Sequence, residues 1–120
     1  CPFCQQWVQQ EEDVGFDTKT HLGNFLYHVL NNYGILLEFQ SCHTAVTSNG
    51  YVFEGHIPAR FVQQFLENPP DDAIGLSVPG MPAGSPGMEM GDRFTPYKVW
   101  LLKKDGSADV FASVNSRDQQ

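Results

Sequence analysis

A Cys-x-x-Cys pair, Cys1-Pro2-Phe3-Cys4, heads a helix-forming run and constrains this chain more than any other feature. Residues 4–13 (CQQWVQQEED) have helix-forming composition, with Trp7 and Val8 on one side, and Gly15 ends the run. Thiols at a helix N-terminus feel the macrodipole and the free backbone N–H groups, which lower their pKa. The thiolates required for metal or disulfide chemistry then form near neutral pH. Pro2 and Phe3 keep the pair rigid and partly dry. The third cysteine, Cys42, is followed directly by His43. Three is an odd number, so a disulfide framework leaves one thiol over, and the chemistry shifts toward metal binding or thiol exchange. Thiolates beside an imidazole suit Cu(I) or Zn. The plainer alternatives are a Cys1–Cys4 disulfide bracing an exposed end, or a lipid on an N-terminal Cys1.

The rest of the chain alternates helical and extended patterns. Residues 16–19 suit a short strand. Leu22, Phe25, Leu26, Val29 and Leu30 follow the spacing of a buried helical stripe, closed by Gly34. Residues 44–48 and 51–54 read as two strands joined by Asn49-Gly50 as a two-residue type I′ turn. That register puts Val46 with Phe53 on one face and Thr47 with Val52 on the other. Pro58 suits the first position of a helix burying Phe61, Val62, Phe65 and Leu66, which Asn68-Pro69-Pro70 stops. Residues 97–102 and 107–112 read as a final hairpin around Lys103-Lys104-Asp105-Gly106, and residues 113–120 as a polar tail that frays. The expectation is one α/β domain over residues 1–112, a small mixed sheet with flanking helices and a C-terminal hairpin.

Charge and length exclude other classes. Seven basic against fourteen acidic residues leave a net charge of −7, the wrong sign for gripping a nucleic-acid backbone. No apolar run approaches the ~20 residues of a membrane span. A chain opening on Cys1 rather than Met reads as processed or trimmed, with any targeting segment removed.

Four further groups invite a functional reading. Adjacent Cys42 and His43 at a loop-to-strand junction are candidate ligands, against the plainer reading of a buried thiol beside an ordinary histidine. His21 and His28 are seven residues apart, roughly 10 Å along a helix, and cannot share an ion. His56, in Gly55-His56-Ile57-Pro58, either caps a helix or sits near a site. Met81 and Met88 lie in residues 78–91, a stretch with three prolines, four glycines and no aromatic residue. A loop of that composition has a fixed shape, and thioethers are Cu(I) ligands.

Several stretches resemble the CopG-type copper-resistance proteins, a mostly periplasmic bacterial family. They are Ser41-Cys42-His43-Thr44-Ala45-Val46, Gly50-Tyr51-Val52-Phe53-Glu54-Gly55-His56-Ile57-Pro58-Ala59, residues 75–89 (GLSVPGMPAGSPGME) and Pro96-Tyr97-Lys98-Val99. The resemblance implies a thioredoxin-like fold and a redox-active Cu(I)-thiolate centre holding one or more ions. The implied ligands are Cys1, Cys4, Cys42 and His43, with Met81 and Met88 as nearby thioethers or site walls. One position departs from the family pattern of Cys-x-Cys-Cys: Phe3 stands where the middle cysteine belongs, so one thiolate of a multinuclear cluster is missing. A thioredoxin-like sheet also carries a central strand before the Cys-x-x-Cys helix, and no sequence for it precedes Cys1. The expectation is a copper(I)-binding protein outside the cytoplasm, in the periplasm or, for a photosynthetic organelle, the thylakoid lumen. Its rivals are an accessory or structural subunit of a larger assembly that needs a protein partner and has lost full copper-cluster binding, and a metal-free thiol oxidoreductase.

Overall fold

The computed structural model describes residues 2–13, 15, 41 and 43–120. Cys1, Cys42, the expected strand at 16–19 and the expected helix at 22–30 with His21 and His28 lie outside them. Helix α1 (Pro2–Asp13) carries Cys4, Trp7 and Glu11 inward at i, i+3 and i+7, and all three are buried. Then come β1 (Thr44–Val46), β2 (Val52–Gly55), α2 (Ala59–Glu67), β3 (Ala73–Val78), β4 (Tyr97–Lys103) and β5 (Ala108–Val114), and a 3-10 turn (Arg117–Gln119) closes the chain.

The five strands form one mixed sheet in the order β1-β2-β3-β4-β5. Only β2 and β3 are parallel, joined by the α2 crossover; the other neighbours are antiparallel. The sheet is hydrogen-bonded from β1 to β5 without a gap. The vacancy expected for a missing central strand does not occur between the described strands.

The β1–β2 hairpin departs from the two-residue turn. A type I′ turn needs φ > 0 at both central residues, yet among the described residues only glycines have positive φ. Gly50 alone takes that conformation, at φ 92°, with its N–H bonded to the Thr47 carbonyl and the Thr47 N–H bonded to the Tyr51 carbonyl. The extra loop residue slips the register by one, so Val46 faces Val52 and Ala45 faces Phe53.

Pro58 precedes α2 as its N-cap rather than opening it. Phe61, Val62 and Phe65 are buried as expected, whereas Leu66 is half-buried against the same core. Phe65 meets Tyr51, Phe53 and Phe111 edge-on, with centroids 5.1, 5.6 and 6.4 Å away. Truncating it to alanine should cost about 3–5 kcal/mol. Strand β2 is buried on both faces: Phe53 joins this α2-side core, while Val52 packs with Leu102 on the other.

The chain end is docked rather than frayed. Strand β5 runs two residues past the expected boundary at 112, and Val114 is fully buried in the core. Beyond it, Arg117 donates to the Gly91 and Arg93 carbonyls and Gln120 Nε2 to the Gly84 carbonyl. These bonds hold the glycine-rich loop, which also folds on itself through Gly84 N–H to Met88 O and Met88 N–H to Ser85 O. Among the described residues, no helix is long and apolar enough to cross a membrane.

Candidate metal centre

One end of the β1–β2 hairpin meets the start of α1 and the glycine-rich loop. Thr44 pairs with Glu54, so His43 and Gly55 lie opposite each other just beyond, tied by the Gly55 N–H to the His43 carbonyl at 3.0 Å. His56 follows at once. The two imidazoles meet edge to face, with centroids 4.8 Å apart, and Cys4 approaches from α1. One ligand-capable atom each from Cys4, His43 and His56 lie within 4.8 Å of one another. Ligand atoms around a single tetrahedral ion are about 3.3–3.8 Å apart. The three donor atoms are thus close to the spacing found around one ion.

The surroundings set the ring chemistry. His56 is fully buried, and its Nδ1 lies 2.7 Å from the Pro86 carbonyl. A carbonyl can only accept, so Nδ1 carries the proton and the neutral ring keeps its lone pair on Nε2. Burial holds the His56 pKa below its usual value, against the opposing pull of the Pro86 bond and the Glu89 carboxylate. Burial also lowers the His43 pKa, to about 4, with His56 adding to the effect and a bond to the Gly55 backbone opposing it. Both rings are neutral at neutral pH, the form that binds a metal. The His43 Nε2 is buried.

Trp7 packs on His43 from α1 and donates its indole N–H to the Ile57 carbonyl at 2.8 Å. Gly87 sits where the loop crosses α1. A Cβ there would lie 2.6 Å from the Phe3 carbonyl and 3.0 Å from His56 Nδ1, so only glycine allows this approach. Glu89 then accepts the Gly87 N–H and a bond from Gln10, pinning the loop to the helix.

Of the residues expected at a site, Cys4 and His43 are brought together. Met88 is buried, whereas Met81 is 46% exposed. Cys4 takes part in a disulfide whose other cysteine lies outside the described residues. The residue that sequence reasoning left undecided is His56. Its signal was its place one residue beyond Gly55, at the same end of the hairpin as His43.

A family model described as "Protein of unknown function, DUF411" matches residues 39–88. None of the curated proteins matches. The chain is similar to the solved structure "Copper resistance protein copG- Form 1", at 39% identity over 97% of this chain and 90% of that one, with a TM-score of 0.89. "Copper resistance protein copG- Form 2" gives 38% identity over 96% and 90%, also at 0.89. With that identity along nearly its whole length, including the hairpin and loop that build the Cys4–His43–His56 group, the chain belongs to the CopG family of copper resistance proteins.

Proposed function

We propose that this chain binds and handles Cu(I) outside the cytoplasm, with Cys4, His43 and His56 as the described core of the site. The observation that carries the reading is the convergence of one cysteine and two buried histidines within 4.8 Å. Thiolate and imidazole donors suit Cu(I) and Zn alike. The similar solved structures are named as copper resistance proteins, which favours copper. Cys1 and Cys42 are the further thiolates, and Met88, with the more exposed Met81, supplies thioethers or walls. The helix bearing Cys4 and the mixed sheet are read as a thioredoxin-like arrangement.

A metal takes a thiolate, not a disulfide sulfur. Copper uptake therefore follows a two-electron reduction of the Cys4 disulfide by a dithiol or phosphine, which turns the S–S bond into two thiols. A disulfide also suits an oxidising compartment such as the periplasm. The test is Cu(I) titration of the reduced protein against a chromogenic Cu(I) chelator. The expected result is tight uptake by the parent and clearly weaker uptake by Cys4→Ser and His56→Ala. Equal binding by all three would remove the site.

The disulfide at Cys4 favours a second reading, a thiol oxidoreductase working without metal. The reduced, copper-free protein would then reduce a model peptide disulfide, and Cys4→Ser would not.

A further inference from the structure

Glu54 is a fully buried carboxylate in the middle of the hairpin, and a buried charge-bearing group needs partners. Among the described residues, its two side-chain hydrogen bonds go to one short segment. Oε1 accepts the Ser41 backbone N–H at 3.1 Å, and Oε2 accepts the Thr44 hydroxyl at 2.8 Å. In sequence, the residues between those two anchors are Cys42 and His43. Ser41 is tied a second time, by its hydroxyl donating to the Gly80 carbonyl in the loop that leads to Met81.

We propose that Glu54 is a positioning residue for copper binding: its carboxylate ties Ser41 and Thr44, which flank the Cys42-His43 dipeptide in sequence, to β2 and so fixes where His43 stands. The assignment rests on the Cu(I) reading above. An apolar residue at position 54 would fill the same volume in a strand that is otherwise Val52, Phe53 and Gly55. A carboxylate there gives the core no packing that leucine lacks. What it gives is two acceptor oxygens with fixed directions, each matched to one donor of the ligand-bearing segment. Groups that orient metal ligands in this way typically change affinity by about 10–100-fold when removed.

The experiment is Cu(I) competition titration of reduced parent, Glu54→Ala, Glu54→Gln and Thr44→Val, each with a thermal melt of the copper-free form. Glu54→Ala is expected to bind Cu(I) about tenfold or more weakly. Glu54→Gln keeps one acceptor and should recover part of that loss. Thr44→Val removes one bond with little change of volume, and should weaken binding several-fold while melting near the parent. It carries the test if Glu54→Ala does not fold. In a Cys42→Ser/His43→Ala background the Thr44→Val effect should vanish, because the staple then has no ligands to place. A purely structural carboxylate would lower melting temperature and leave affinity unchanged. Parent binding matched within twofold by Glu54→Ala and Thr44→Val overturns the proposal alone. A parent that takes up no Cu(I) overturns the copper reading and this proposal with it.

Discussion

The indole of Trp7 lies against the imidazole of His43, ring centroids 4.5 Å apart and planes tilted by 42°. The contact joins the cysteine-bearing helix to the hairpin, and the Trp7–Ile57 bond fixes the indole from the far side. Any ion held by His43 is therefore within a few ångströms of a fluorophore. Copper loading of the reduced protein is expected to quench Trp7 emission in proportion to occupancy. Trp7→Phe should leave only the emission of Trp100, on β4, with little response to copper. An undiminished response in Trp7→Phe would place the metal elsewhere.

Gly87→Ala tests the packing of the glycine-rich loop on α1. The new Cβ would meet the Phe3 carbonyl and the Trp7 N–H, both helix backbone, and φ at this position is +87°. Neither neighbour can swing aside cheaply, and the residue itself is strained. A loss of about 1–3 kcal/mol is expected. Copper affinity should fall as well, because the same loop carries the Pro86 carbonyl that orients His56. Denaturant unfolding and Cu(I) competition measure the two effects.

Burial pushes the Glu11 carboxyl from 4.5 up to about 8, and among the described residues its Oε1 has no hydrogen-bond partner. In the unfolded chain the group ionises near 4.5, while the folded protein keeps it neutral. Unfolding then releases a proton between those values, so this contribution is fully present below about pH 4.5 and is lost as pH rises toward 8. Glu54, raised to about 7, acts in the same direction. His43, lowered from 6.5 to about 4, acts oppositely and costs stability as pH falls across that window. Glu11→Gln cannot ionise. Its melting temperature is expected to gain on the parent steadily from pH 5 to pH 8. Parallel pH profiles would show that Glu11 is not held neutral.

Phe3, where the resemblance implies a cysteine, is 36% exposed on the first turn of α1. Its replacement costs little core packing. Phe3→Cys should raise the copper bound per reduced chain, measured by elemental analysis after desalting. Unchanged stoichiometry would mean that a missing thiolate is not what limits the site.

Local pattern made α2, β4, β5 and the Cys4 helix legible, because each has an apolar periodicity or a punctuating Pro or Gly. Asn49-Gly50 marked the right turn but not its length. That single residue moved Val46 opposite Val52 and put Gly55, rather than His56, opposite His43. Glu54 was invisible as a site element, since its role depends on which segment folds across β2. The docked tail was missed for a similar reason: Val114 fills a core assembled from α2 and strands distant in sequence, and no neighbour in sequence announces it.

The central claim is that Cu(I) sits on sulfur and imidazole together at the Cys4–His43–His56 group. Copper K-edge X-ray absorption of the reduced, Cu(I)-loaded protein measures this directly. The expected result is a mixed shell of sulfur and nitrogen with the outer-shell scattering of imidazole, and loss of the imidazole signal in His43→Ala/His56→Ala. A shell of sulfur alone in the parent, or an unaltered spectrum in the double variant, would contradict it.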